Sequence, residues 1–257
     1  MTAIVPYMVA CPSTKRPENM HRMLEIFPDL QVFVSRHEVD SYVKVVPRGQ
    51  LNTHDKHGSI CAIQNDIIVR CQEEFGYRAF LLIDDDLNRI RSNVWQRPRW
   101  YTDPQVIREV VENGINILVD LDLPMFTWIG RENPQWLSNC DLFKANALVM
   151  RAWLMYATDR DGGKFPYRTD EGTKTLNDYS ISLEILLNSR VVLMDKRWFF
   201  DFGSSEKDIG GLQSLRTSEV RRNDENYMRQ KWGKHFDNIS KFPGLDVNRK
   251  SPAGYKG

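Results

Sequence analysis

Phe80-Leu81-Leu82-Ile83-Asp84-Asp85-Asp86-Leu87 is the stretch on which the reading of this chain turns. Four apolar residues stop abruptly at three carboxylates. The apolar part has the length and bulk of a buried strand. Strand alternation sets Asp84 and Asp86 on one side and Asp85 on the other. Two carboxylates leaving a sheet together repel unless a cation sits between them, and hard oxygen ligands of this kind suit Mg or Mn. In an α/β sheet, ligands bind beyond the carboxyl ends of the strands. The run therefore predicts a divalent metal and a phosphate-bearing substrate. For the triplet alone, a polar turn with solvated or helix-capping acids is the competing explanation.

The chain has 257 residues, the size of one large domain. Its 41% apolar content can supply a sizeable core, and 27% charge keeps it soluble. A net charge of +1 gives no global argument for nucleic acid or membrane. The distribution is less even: residues 190–257 carry 14 Lys/Arg against 9 Asp/Glu, so the rest is net acidic. A basic tail on an acidic body hints at a polyanionic partner. Cys11, Cys61, Cys71 and Cys140 form no CxxC and fit no zinc module, so reduced thiols are expected. The first residues lack a basic leader, and no stretch approaches a transmembrane span. The expected location is the cytoplasm, with no membrane partner.

Working outward from the acidic run, the pattern reads strand, helix, strand, loop, helix, strand. Residues 4–10 predict a first strand, and residues 12–16 a polar loop. Pro17 opens a helix whose Met20, Met23, Leu24 and Phe27 form one stripe. Residues 31–35 are a second strand and 43–46 a short third one, followed by a polar loop over 48–58. Ile60, Ile63, Ile67 and Cys71 mark a second helix that Gly76 ends. Beyond the acids, Asp103-Pro104 starts a helix. Strands are expected over 125–130, 146–150 and 191–194, and helices over 175–187 and 218–232. Residues 241–257 read as a loose tail. This order predicts an α/β domain with a mostly parallel central sheet flanked by helices.

Four other segments carry candidate chemistry. The loop Pro12-Ser13-Thr14-Lys15-Arg16-Pro17 joins the first strand to the first helix, where nucleotides commonly dock, and Arg16 could reach a base or phosphate. In Thr175-Leu176-Asn177-Asp178-Tyr179, a capping Thr175 would put Asp178 at the third helical position as half of a capping box. Alternatively, Asp178 is a general base at a helix start facing the metal. In Trp198-Phe199-Phe200-Asp201-Phe202-Gly203, an acid among aromatics is costly unless paired or metal-bound, so Asp201 could complete the metal shell. Gly210 and Gly211 would admit a diphosphate to the backbone, and Arg216 could neutralise it. Residues 89–101 interleave Arg89, Arg91, Arg97 and Arg99 with Trp95, Trp100 and Tyr101. Guanidinium for phosphate and rings for bases is the composition of a nucleic-acid contact. Solvated loops and inward-packed tryptophans would account for the same residues. His54-Asp55-Lys56-His57 lacks further ligands at metal spacing, and Lys56 or His57 fits donor binding better.

Together these features resemble a GT-A glycosyltransferase. That family has an amino-terminal nucleotide-binding α/β half and an Asp-x-Asp motif at a strand end, which Asp84-Asp85-Asp86 matches. Asn177-Asp178-Tyr179-Ser180-Ile181-Ser182-Leu183 resembles its Glu-Asp-Tyr-x-x-x-Leu signature, with Asn in place of Glu. Ser13-Thr14-Lys15-Arg16-Pro17 resembles its donor loop. The resemblance spans residues 1–217 and leaves 218–257 as a basic helix and tail packed on or beside that domain. Phe-Asp-Phe-Gly at 200–203, the Gly210-Gly211 pair, Arg216-Thr217 and the helix ending near Trp232 look most like the TET-associated glycosyltransferases of phages.

The resemblance implies transfer of a hexose from a nucleoside-diphosphate sugar, UDP-linked for preference, to 5-hydroxymethylcytosine in DNA. A phage-encoded enzyme would act in the host cytoplasm. Asp84, Asp86 and Asp201 would hold Mn or Mg. Ser13, Arg16, Ser35, Arg36, Lys56, Asp84, Asp85 and Arg216 would hold the donor. Asp178 would be the base, and Arg91, Trp95, Arg97, Arg99 and Trp100 would contact the acceptor. Two rivals stand beside this expectation. One is a GT-A enzyme acting on a glycan, lipid or protein. The other is a metal-dependent nuclease or nucleotidyltransferase built on the same carboxylates.

Overall fold

The three acids sit at a break in the sheet, and the architecture is clearest from there. The structure, a computed structural model, describes residues 5–56, 58–73, 78–94, 99–130, 141–149, 151–156, 167–202 and 217–241. Its strands are β1 (Tyr7–Pro12), β2 (Gln31–Ser35), β3 (Leu51–His54), β4 (Ala79–Ile83), β5 (Leu87–Ser92), β6 (Arg99–Tyr101), β7 (Met125–Ile129), β8 (Phe143–Lys144), β9 (Ala152–Tyr156) and β10 (Leu193–Phe202). The helices are α1 (Asn19–Ile26), the single turn α2 (Val39–Tyr42), α3 (Ile60–Glu73), α4 (Pro104–Asp120), α5 (Asn177–Ser189), α6 (Ser218–Trp232) and α7 (Lys234–Lys241).

One sheet runs in the order β3-β2-β1-β4-β9-β7-β10-β5-β6, with β8 also on β10. The first four strands in that order are mutually parallel. Past β4 the character changes. β9 is antiparallel to both β4 and β7, and β5 is antiparallel to β10 and β6. The sheet is therefore mixed, and the expectation of a mostly parallel one holds only for its amino-terminal half. A crossover helix enforces parallel pairing, as α1 and α3 do here, whereas direct strand-to-strand returns give antiparallel pairs. β10 joins the two regions: Leu193–Asp195 pair with β7 in parallel, and after a register shift Trp198–Phe202 pair with β5.

Several elements differ from their expected places. Residues 43–46 form turns closing α2, with Val45 and Val46 N–H groups on the Tyr42 carbonyl, rather than a strand. The third strand lies in the stretch expected as polar loop, where Leu51–His54 pair with Val32–Ser35. Residues 146–149 are irregular, and the strand there is Ala152–Tyr156. Strand β10 is ten residues long, so it runs well past the expected 191–194 and takes in the aromatic run 198–202. Helix α7 had no counterpart in the sequence reading.

The apolar stripes account for the layering. Met20, Met23, Ile26 and Phe27 from α1 and Ile107, Val111, Ile115 and Leu118 from α4 cover one face, in one cluster with Leu81, Ile83, Phe126 and Leu154. On the other face, Ile63, Ile67 and Cys71 of α3 and Ile181, Leu183 and Leu186 of α5 meet Met8, Phe33, Phe80 and Trp153. Met228 and Phe236 of α6 and α7 join that second cluster, so the carboxyl-terminal helices share the core of the body. Cys11, Cys61 and Cys71 are buried free thiols. Among the described residues, no helix is long and apolar enough to cross a membrane.

Helix α4 approaches the sheet most closely at Gly114, where a Cβ would stand 2.5 Å from Trp128 Cζ2 and 3.0 Å from Phe126 Cε1. Alanine normally gains about 1 kcal/mol over glycine inside a helix. Overpacking a ring in a closed interior costs about 1–3 kcal/mol. With that helix gain set against a 2.5 Å clash on an indole, we expect Gly114→Ala to lower stability in urea unfolding by about 1 kcal/mol or more. Equal or greater stability would mean that α4 slides freely on the sheet.

Candidate active site

Buried Ile83 ends β4, and the chain turns over Asp84, Asp85 and Asp86 before entering β5. The turn stands at the carboxyl ends of the parallel strands, beside Ser13 after β1 and Ser35 at the end of β2. Two like charges about 4 Å apart repel by roughly 4 kcal/mol at an effective dielectric of about 20. Three adjacent carboxylates can hold this place only with cations among them, and two guanidiniums supply the charge.

Arg151, the residue before β9, takes the side shared by Asp84 and Asp86. Its Nε donates to Asp84 Oδ2 at 2.6 Å, and its Nη2 donates to both oxygens of Asp86 at 2.7 Å. The Asp84 N–H also donates to the Arg151 carbonyl, 2.9 Å. Burial works against the guanidinium's charge, but Asp84 and Asp86 outweigh it and hold its pKa above the ordinary arginine value. The Asp86 carboxyl is pushed up by burial, with Arg151 pulling it back.

Asp85 is engaged instead from the β1–α1 loop, the separation expected from the sequence, although residues 84–86 form a turn. Its Oδ1 accepts from Arg16 Nη1 at 3.3 Å and its Oδ2 from Ser13 Oγ at 2.6 Å. Arg16 Nη1 also lies 3.7 Å from Asp86 Oδ2. Since the Ser13 hydroxyl donates to a carboxylate, the Tyr42 hydroxyl 2.7 Å away donates to Ser13 and accepts from the Arg16 N–H at 3.0 Å. This chain of bonds ties the β1–α1 loop, α2 and the acid turn together. Burial raises the Asp85 carboxyl to about 6 despite Ser13 and Arg16, and burial pushes the Tyr42 phenol up. The loop is also held at Lys15, whose φ is +57° and whose N–H donates to Glu38 Oε2 at 2.7 Å.

Of the expected donor residues, Ser13, Arg16, Ser35 and Asp85 are buried at this edge, and Asp84 is partly exposed. Arg36 lies at the next strand end, in a two-pronged pair with Asp55 at 2.8 Å, and Lys56 is exposed beside it. Asp178 occupies the first turn of α5, where a helix favours a negative charge. Thr175 does not cap that helix, because its hydroxyl and N–H both go to Asp224. The capping-box explanation of Asp178 is thereby removed. Instead Asn177 Nδ2 donates to Asp178 Oδ1 at 2.6 Å. The Asp178 carbonyl accepts from the Ser182 hydroxyl, which accepts from the Val149 N–H two residues before Arg151. The base candidate and the acid turn are thus mounted on one connected edge.

Asp201 is not drawn into the acid turn. Its carboxylate pairs with Arg89 Nε at 2.7 Å, across the β10–β5 ladder. Among the described residues, no group of three or more His, Cys, Asp or Glu is arranged to hold a metal ion. Asp84 and Asp86 do face a common cation, which here is Arg151. Arg89 also stacks 3.8 Å over the Trp100 ring, and buried Arg91 packs against Trp100 and Phe199. Arg99 and Trp100 are the exposed members of the expected acceptor patch. On α6, Arg221, Arg229 and Lys231 all sit in ion pairs. Trp95, Arg97, His57, Gly203, the Gly210-Gly211 pair and Arg216 lie outside the described residues.

Sequence reasoning missed Arg151, Tyr42 and Asp224. Arg151 left one signal, a lone cation inside the otherwise apolar run Ala147-Leu148-Val149-Met150-Arg151-Ala152-Trp153-Leu154. Compared with protein-family models and with curated protein sequences, the chain matches none.

Two measurements probe the mounting of α5. Buried Asp224 accepts from the Lys174 and Thr175 N–H groups and the Thr175 hydroxyl. Asp224→Ala strands these donors, and we expect a loss of about 2–4 kcal/mol in urea unfolding. A near-neutral change would show that water replaces the carboxylate. Burial raises the Asp170 carboxyl, but Lys231, the Gly172 N–H and Tyr227 outweigh it and hold it below its ordinary value. A lowered folded-state value gives stability that is present above about pH 4 and lost as pH falls through it. Asp170→Asn should flatten that acid limb in unfolding midpoints measured across pH.

Proposed function

We propose that this protein transfers a sugar from a nucleoside-diphosphate donor, UDP-linked for preference, to a hydroxyl of 5-hydroxymethylcytosine in DNA. One observation carries the reading. The acid turn stands at the carboxyl ends of the parallel strands, between the Arg16 loop and the segment bonded to the helix of Asp178. Sugar transfer must hold a diphosphate, neutralise it as it leaves and remove the acceptor's proton. Candidates for all three tasks share this edge. The GT-A resemblance rests on the same residues, and the parallel β3-β2-β1-β4 half with acids at its last strand end agrees with it.

The donor set fits a divalent ion: two carboxylate groups already share one cation through short bonds. Magnesium-type sites commonly use one or two carboxylates and leave other positions to substrate phosphates. Asp84 and Asp86 would hold Mn or Mg, which when bound supplies charge neutralisation for the departing diphosphate. Arg16 adds a fixed positive charge from the β1–α1 loop. Asp178 accepts the proton of the hydroxymethyl group as it attacks the anomeric carbon. Arg99 and Trp100, on the strand pair leaving the turn, offer a cation and a ring to nucleic acid. A base within a duplex must be extruded to reach the edge.

The test is incubation with a panel of nucleotide sugars and hydroxymethylated, methylated or unmodified DNA, read by nucleoside mass spectrometry. A sugar on hydroxymethylcytosine alone is the expected result. Transfer to free glycans but not to DNA would move the acceptor to a glycan, lipid or protein. Cleavage of DNA without any sugar would point to a nuclease. Asp84→Asn and Asp86→Asn should each abolish transfer. Asp178→Asn should cut kcat by about 100-fold or more with little change in donor KM, because a base acts in the transition state. Normal kcat in that variant would leave Asp178 a feature of the helix start only.

A further inference from the structure

The acid turn is not a vacant pair of carboxylates. Asp84, Asp85 and Asp86 face two guanidiniums, those of Arg16 and Arg151, so three negative charges meet two positive ones. One negative charge remains, which is the wrong sign for binding a diphosphate. A divalent ion reverses that sign. Yet the side where Asp84 and Asp86 converge is already bridged by Arg151, which uses both oxygens of Asp86 and one of Asp84. An ion on that side would have to compete with the guanidinium for those oxygens, and the two positive charges would repel.

Two further observations say that something else belongs here. Arg16 is 6% exposed, and its buried Nε has no hydrogen-bond acceptor among the described residues. A buried guanidinium donor at the acid turn calls for an acceptor oxygen that the described residues do not provide. The Arg151 side chain is 24% exposed, and its guanidinium rests 4.6 Å over the Phe202 ring. It is reachable from solvent on the side where Asp84 is 31% exposed.

We propose that Arg151 is the resident counter-ion of the acid turn and exchanges with a divalent metal. The metal reaches Asp84 and Asp86 only as the guanidinium releases them. The nucleoside diphosphate drives the exchange, because its oxygens give the freed guanidinium a two-pronged partner. The free protein thus keeps Asp84 and Asp86 bridged by a cation without metal, and metal and nucleotide bind as a coupled pair. This inference rests on the acid turn being the metal and diphosphate site of the preceding section.

The experiment titrates Mn2+ into the full chain and reads free Mn2+ by electron paramagnetic resonance, with and without UDP and with no acceptor or sugar present. Wild type should bind Mn2+ weakly alone and at least about tenfold more tightly with UDP, with the reciprocal effect of Mn2+ on UDP. Arg151→Gln removes the competing charge and should bind Mn2+ alone about ten- to hundredfold more tightly than wild type. Its Tm should also rise more with Mn2+ than that of wild type, since the ion then supplies the missing counter-charge. Asp86→Asn should abolish binding. Equal Mn2+ affinity in wild type and Arg151→Gln overturns the exchange and leaves the acid turn standing as a metal site. No binding by either protein, with or without UDP, overturns the exchange together with the metal reading beneath it. If Arg151→Gln does not fold, wild type decides alone: tight Mn2+ binding that UDP does not change overturns the proposal.

Discussion

Three carboxylates on consecutive residues are held by two arginines that come from opposite directions in the sequence. Arg16 reaches the turn across 69 residues and Arg151 across 65 to 67. Neither contact is local, and without them the like charges at the end of β4 would drive the turn apart. The consequence extends beyond the turn. Asp85 pins the β1–α1 loop through Ser13, and Ser13 and Arg16 pin Tyr42. Arg151 anchors the start of β9, and the Val149–Ser182–Asp178 bonds carry that anchorage to α5. The acid turn is therefore the joint at which the β1–α1 loop, the switch of strand direction and helix α5 are fixed relative to one another.

That joint divides the labour among the acids. Asp85 is consumed structurally: both its oxygens are engaged by the β1–α1 loop. Asp84 and Asp86 face the other way and share a cation that is partly open to solvent. The separation limits repulsion, because a third carboxylate on the side of Arg151 would add to it. The turn supplies the separation by giving Asp85 to the β1–α1 loop and Asp84 and Asp86 to Arg151.

The sequence was legible wherever a pattern is local. The stripes of α1 and α3, the start of α4 at Asp103, strand β2 and helix α6 follow from periodicity and turn chemistry within a few residues. The same holds for the opposed sides of Asp85 and its neighbours. What failed was nonlocal or balanced between two states. Val43, Val45 and Val46 have strong strand propensity, yet Val46 packs in the core as part of a turn while the polar Asn52 and Thr53 pair with β2. Pairing with a neighbouring strand outweighed intrinsic preference there. The partner of Asp201 was legible only as a demand for some partner. That it is Arg89, not the metal site, depends on the β10–β5 register, which no local pattern encodes.

The mixed character of the sheet is what makes the acid turn possible. A parallel strand in the place of β9 would end where β4 ends and bring a further departing loop to the edge, as β1 does on the other side. An antiparallel neighbour starts there instead. The register sets Ile83 opposite Ala152, so one step further along each chain places Asp84 opposite Arg151. The bond from the Asp84 N–H to the Arg151 carbonyl continues the ladder by that one step. Arg151 is thus delivered by strand geometry to the first acid of the run, and its side chain needs only to extend to reach Asp86. Had the residue before β9 been apolar, the same fold would leave Asp84 and Asp86 without their shared cation. The single arginine in an apolar run is what gives Asp84 and Asp86 a shared counter-charge from the chain itself.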